Sequence, residues 1–188
     1  MRQYLLAIVI SAYAITAHAD PLLFRGVEFG VTPFSEAKVL IMADVQDGMH
    51  HPTVEQRYCT KSDVPKAECS FANIVYGPAN LKSVTITGRE EKITALRGYF
   101  DARSFDSLVR LMQEKFGTVP CKTSEVSNRM GAKFEGVECE WVSGGVIVTA
   151  KKFSYDLVTS SVSFETAKER ETSLAEFEAA QQKKKSAM

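Results

Sequence analysis

Four cysteines, two adjacent histidines and several pairs of acids are the side chains of this chain that could carry chemistry. The cysteines are Cys59, Cys69, Cys121 and Cys139. Four thiols can pair in three ways. The expected pairing is Cys59–Cys69 with Cys121–Cys139, because each bond closes a local loop within one structural half. Loops of this size contribute about 3 kcal/mol in the chain-entropy account of disulfides. The competing chemistry is zinc. It needs closely spaced ligands such as Cys-x-x-Cys. No such pair exists here, and beyond His18 the only histidines are His50 and His51. The same spacing argues against a redox dithiol. Structural disulfides are the expectation.

The segment 44–51 (DVQDGMHH) places Asp44, Asp47, His50 and His51 together. It lacks the fixed spacing of a known metal loop, and adjacent histidines point apart on an extended chain, so it reads as a solvated loop. Nucleophilic catalysis needs a histidine placed by the fold beside a Ser or Cys, and none stands in such a context. Glycoside chemistry needs two converging carboxylates. Glu90–Glu91 and Glu138/Glu140 qualify by proximity alone, and a hairpin turn and a solvent-facing strand edge account for them more simply. Gly144–Gly145 reads as a turn after Ser143, not as a phosphate cradle. No catalytic residue, metal ligand or cofactor is assigned, and the chain is not expected to be an enzyme.

The elements that must position these groups begin with a leader. Arg2 precedes an apolar run from Leu5 to Ile15, and Ala17-His18-Ala19 fits a signal-peptidase site. Residues 1–19 are therefore expected to be a signal peptide, which places the rest in an oxidising, periplasmic or extracellular setting. The chain carries 23 Lys+Arg and 23 Asp+Glu, and loss of the leader removes Arg2 and no acid. Such a balance offers no electrostatic footprint for nucleic acid. No later apolar run is long enough to span a membrane.

Residues 24–31 read as an extended segment. Thr32 and Pro33 then signal a helix start, with Thr32 as the cap. Phe34, Ala37, Leu40 and Ile41 share one face of that helix. Residues 47–68 are polar, hold Pro52 and Pro65, and read as a long loop or irregular hairpin. Strands are expected over 70–76, 81–87 and 92–100. A second helix follows, capped by Ser104, with Phe105, Leu108, Val109, Met112 and Phe116 on one stripe and Gly117 at its end. Further strands are expected around 137–141, 146–150 and 157–164. The segment 166–188 reads as a charged helix or tail, with glutamates early and Lys183–Lys185 late, docked through Leu174 and Phe177.

The order is helix, three strands, helix, three strands. Arg25-Gly26 precedes the first helix and Arg97-Gly98 the second, and Phe34 and Phe105 open them. This suggests two copies of one unit, about 24–100 and 101–165, in a single α+β domain spanning 20–165. The predicted fold is thus two α-βββ halves forming an antiparallel sheet packed by helices, with two local disulfides and a C-terminal helix. A leader, tandem helix-plus-meander halves and one disulfide per half resemble the β-lactamase inhibitor protein architecture and the smaller SmpA/OmlA-type modules of the bacterial envelope. The resemblance rests on architecture and matches no functional residue. It implies two helices behind one sheet, with the open face available to a partner protein.

Aromatic residues are the remaining clue. Tyr76, Tyr99, Trp141, Phe153 and Tyr155 lie in or beside strands, and Tyr76, Tyr99 and Trp141 are taken as interface candidates. The expected function is an exported, non-enzymatic protein-binding module of the bacterial envelope: an inhibitor, an immunity protein or an assembly factor. The alternatives are a periplasmic hydrolase with a carboxylate site, a structural envelope component that self-associates through its C-terminal helix, and a carrier of a small apolar ligand.

Overall fold

Alternating apolar and polar residues along Ser83–Arg89, Lys92–Asp101, Val146–Lys151 and Thr159–Thr166 give these strands one dry and one wet side. The computed structural model describes residues 23–43, 54–60 and 66–186. The expected leader and the Asp44, Asp47, His50 and His51 cluster lie outside the described residues.

The chain order is a hairpin of β1 (Leu23–Phe24) and β2 (Val27–Glu28), helix α1 (Phe34–Met42), β3 (Glu55–Cys59) and β4 (Lys66–Ala72). A second hairpin, β5 (Ile74–Tyr76) and β6 (Ala79–Leu81), precedes β7 (Ser83–Arg89) and β8 (Lys92–Asp101). Helix α2 (Phe105–Phe116) leads to β9 (Lys122–Ser127), β10 (Lys133–Ser143), β11 (Val146–Lys151) and β12 (Thr159–Thr166), and α3 (Ala167–Ser186) closes the chain. Eight strands form one antiparallel sheet in the order β3-β4-β7-β8-β12-β11-β10-β9. The α+β class, the helix-packed antiparallel sheet, both disulfides and the C-terminal helix are as expected.

Each half supplies four strands to the sheet, one more than expected. The additions, β3 and β9, are the two edge strands. Their residues are almost all polar and exposed, so they carry no apolar period. Edge strands are kept polar because their free backbone groups would otherwise recruit other chains. The expected strand over 70–76 is interrupted at Asn73, whose φ of +61° is tolerated by asparagine. β5 therefore leaves the sheet and pairs with β6 instead.

The strand register relates the two halves by an approximate two-fold pattern. One dry row reads Cys69–Ile86–Leu96–Phe164–Val148–Trp141 across β4 to β10. The next dry row reads Phe71–Val84–Gly98–Val162–Ala150–Cys139. A two-fold axis through the Arg97–Ser163 pair exchanges the two rows end for end, placing Cys69 on Cys139 and Phe71 on Trp141. Each disulfide then ties an outermost strand to its neighbour: Cys59 of β3 to Cys69 of β4, and Cys121, just before β9, to Cys139 of β10. The second cysteines stand at nearly the same distance from the helix starts Phe34 and Phe105, whereas the first cysteines do not.

The dry side is covered by α1, α2 and the two small hairpins. Helix α1 buries Phe34, Ala37 and Ile41. Pro33, not Thr32, occupies its cap position; the Thr32 hydroxyl accepts instead from the Glu28 amide at 2.9 Å. The other end of α1 is closed by Arg25, whose guanidinium donates to the Ile41 carbonyl at 2.6 Å. Helix α2 buries Phe105, Leu108 and Met112, as its stripe predicts. Ser104 makes no capping hydrogen bond. Asp101 accepts from the Arg103 amide and opens a short 3-10 turn that runs into α2. Gly117 ends the helix at a φ of +87°. Leu81 of the β5–β6 hairpin lies so close over Gly98 that a Cβ there would meet its methyl group at 2.9 Å, so a larger residue at that position requires the Leu81 side chain to move.

Candidate functional site

The helices α1 and α2 bury their apolar faces against the dry side of the sheet, and the wet side lies opposite them. Its central row, between the two dry rows, reads Tyr58–Ser70–Thr85–Arg97–Ser163–Thr149–Glu140. Strand residues alternate sides, so each of these points away from the core. Tyr58 stands 60% exposed at one edge, and Val142, in the neighbouring row, stands 67% exposed toward the other. Among the described residues no helix is long and apolar enough to cross a membrane.

Near the centre, the segment between β11 and β12 folds back and lays Tyr155 against Tyr99. The ring centroids are 4.9 Å apart and the two hydroxyls are hydrogen-bonded at 2.6 Å. Tyr155 remains 76% exposed. Partial burial, and then the hydrogen bond with Tyr155, push the Tyr99 phenol above its ordinary value, while Arg97 beside it pulls in the opposite direction. The pair is an amphipathic platform two residues along β8 from Arg97.

Helix α3 closes one end of this face, but by polar contacts. Thr166 accepts from the Glu169 amide at 3.1 Å and caps the helix. The Glu169 side chain is only 2% exposed. It accepts from Arg89 Nε at 2.8 Å, Thr94 Oγ1 at 2.9 Å and Ser173 Oγ at 3.0 Å. Burial alone would push this carboxyl up; the three donors outweigh it and hold it below the ordinary carboxylate value. Arg89 also pairs with Glu176, while Arg170 pairs with Glu140 and Glu165. Leu174 and Phe177 do not dock the helix: they are 57% and 62% exposed. The packing role expected of them falls instead to a buried ion pair, which the apolar periodicity could not show.

Between α3 and strands β4, β7, β8 and β12 lies a groove of about 330 Å³. Its walls carry Glu68, Glu165 and Glu169, which pair with Lys66, Arg170 and Arg89; the two arginines are shared with Glu140 and Glu176. Arg97 also lines the groove.

The structure separates the residues singled out from the sequence. Tyr76 is buried, stacked on Phe24 with centroids 4.6 Å apart, and burial pushes its phenol up to about 12. Trp141 is buried and its indole N–H donates to the Gly117 carbonyl at 2.8 Å. Both are core residues, which corrects the expectation that they form a contact surface. Tyr99 faces outward. Glu138 and Glu140 lie on the wet side, paired with Lys151 and Arg170. Glu90 and Glu91 form the β7–β8 turn, both at positive φ. Arg97 and Tyr155 were not among the sequence candidates for a contact surface. The signal for Arg97 is its place in the alternation Leu96-Arg97-Gly98-Tyr99-Phe100, which turns it out of the core.

Compared with protein-family models, with curated proteins and with solved structures, the chain matches none.

Proposed function

We propose that this protein is an exported, non-enzymatic binding module of the bacterial envelope whose contact surface is the wet side of its sheet. The observation that carries this reading is the open central row with Arg97 and the Tyr99–Tyr155 platform, on a sheet whose other side is fully committed to the core. Paired tyrosines held by each other present large contact area at little conformational cost, as interface anchors do. Two intramolecular disulfides fit assembly in an oxidising compartment outside the cytoplasm. The partner is a protein, and the roles open to such a module are inhibitor, immunity protein or assembly factor. The architectural resemblance to β-lactamase inhibitor protein and to SmpA/OmlA-type modules points the same way.

The test is an affinity capture. The oxidised protein is immobilised, exposed to envelope extract at several salt concentrations, and compared with Tyr99→Ala/Tyr155→Ala. A saturable, stoichiometric partner retained by the native protein and lost by the variant is expected. No partner at any salt concentration, or equal retention by the variant, overturns the reading.

A second reading has an observation of its own. Leu174 and Phe177 stand exposed on the same helix, which favours self-association through α3. Leu174→Glu/Phe177→Glu leaves Glu169 in place, and a native mass that falls from dimer to monomer in this variant supports that reading.

A further inference from the structure

Helix α3 is docked unlike α1 and α2. Those two helices each bury three apolar side chains against the dry side. Of the 20 residues of α3 only Glu169 is buried, and among the described residues none from α3 belongs to the apolar core or packs against it. What holds the helix is polar. Glu169 accepts from Arg89 of β7 and Thr94 of β8, and Glu176 pairs with the same Arg89. Arg170 reaches Glu140, Thr149 and Glu165, and Lys168 meets Glu90 at 3.2 Å. Beyond Glu176 every described residue of the helix is exposed. Beneath it the groove of about 330 Å³ leaves open space between helix and strands.

We infer that α3 is a releasable strap: it lifts from the sheet as a unit while the sheet stays folded, and the Glu169–Arg89 pair is its catch. Lifting an apolar helix exposes area that water disfavours. Lifting α3 exposes little, and both members of each ion pair recover their hydration, which offsets much of the lost attraction. Segments with few buried apolar contacts are the ones that open below the free energy of global unfolding. Once lifted, a helix of this length loses the docking that stabilises it and is marginal in water, so its amides report the motion. Lifting uncovers Thr87, Ala95 and Glu165 on the groove floor, at one end of the wet side. The strap itself is independent of the binding-face reading; its control of access to that face rests on it.

Native-state hydrogen exchange of the oxidised protein at constant pH tests it. The amides from Glu171 to Glu176 are expected to share one protection level, well below that of β8 and β12 and nearly independent of dilute urea. Glu169→Gln should lower protection in α3 and in the sheet alike by about tenfold, because the catch is lost in either opening. Ile86→Val, a change in the core alone, should lower protection in β8 and β12 by about fivefold and leave α3 unchanged. Leu174→Glu/Phe177→Glu should leave α3 unchanged as well. Protection of α3 equal to that of the sheet, a response of α3 to Ile86→Val, or a loss in Leu174→Glu/Phe177→Glu as large as in Glu169→Gln overturns the strap. Where affinity capture yields a partner, Glu169→Gln should hold it about tenfold more tightly, because the open form is already more populated. Equal affinity removes the control of access. Absence of any partner removes the binding face and leaves the strap to the exchange result.

Discussion

The two halves of the sheet solve one packing problem with different residues. Row for row, Phe71 in the first half stands where Trp141 stands in the second, and Cys69 where Cys139 stands. The first half covers the sheet with an extra hairpin, β5–β6, whose Leu81 fills the space above Gly98. The second half has no such hairpin; there Trp141 is buried and donates to the Gly117 carbonyl at the end of α2. On the wet side the same axis sets Arg97 against Ser163. The dry side tolerates exchange as long as volume is filled. The wet side has no such constraint.

The sharpest way to break the equivalence is at its bulkiest pair. Trp141→Ala and Phe71→Ala should each cost about 4 kcal/mol as buried aromatic truncations, read as shifts in the urea midpoint. Trp141→Phe separates the halves, because it leaves the Gly117 carbonyl without its donor. It should cost about 1–2 kcal/mol beyond the volume change.

The disulfides come next. Removing Cys59–Cys69 or Cys121–Cys139 as Ala pairs should cost about 3 kcal/mol each. The sequence separations are 10 and 18. The chain-entropy account therefore makes the second loss larger by about 0.5 kcal/mol. Parallel denaturation curves of the two variants check both the size and the order.

Helix α3 bridges the halves, holding Arg89 of the first through Glu169 and Glu176, and Glu140 of the second through Arg170. Glu169→Gln should cost about 2 kcal/mol at neutral pH, the scale of hydrogen bonds to a charged group. Its carboxyl is held below the ordinary value in the folded state. The stabilisation is therefore fully present above the unfolded carboxylate range and is lost as pH falls through the folded value. The gap between native protein and Glu169→Gln should close on acidification, and stability curves from pH 7 to pH 3 measure it.

A smaller effect of opposite sign is expected at Tyr76. Its hydroxyl is buried and has no hydrogen-bond partner among the described residues. Tyr76→Phe should stabilise by about 1 kcal/mol, since it removes an unsatisfied polar group and keeps the ring. The smallest effect belongs to the wet side. Arg97→Gln should change stability by no more than about 0.5 kcal/mol, so any loss of binding it causes is not a folding defect.

The sequence shows some parts of this molecule directly. The stripe of α2 is legible because helix periodicity and core burial coincide in Phe105, Leu108 and Met112. The disulfide pairing follows from local loop closure. The edge strands β3 and β9 are not legible, because a strand exposed on both sides has no apolar period to read. Tyr76, Tyr99 and Trp141 look alike as strand aromatics. Only the break at Asn73 and the register decide that Tyr76 and Trp141 turn inward and Tyr99 outward.

By itself the sequence determined the α+β class, the main strands and the two amphipathic helices, and it favoured the cysteine pairing that the structure shows; all of these rest on interactions between residues close along the chain. The tertiary structure alone decided the joining of β8 to β12, and with it the axis through Arg97 and Ser163. It also decided the Glu169–Arg89 clamp across 80 residues and the Tyr99–Tyr155 platform across 56. Those contacts join residues far apart in the chain, and which partner each polar side chain meets is set by strand register and not by any local pattern.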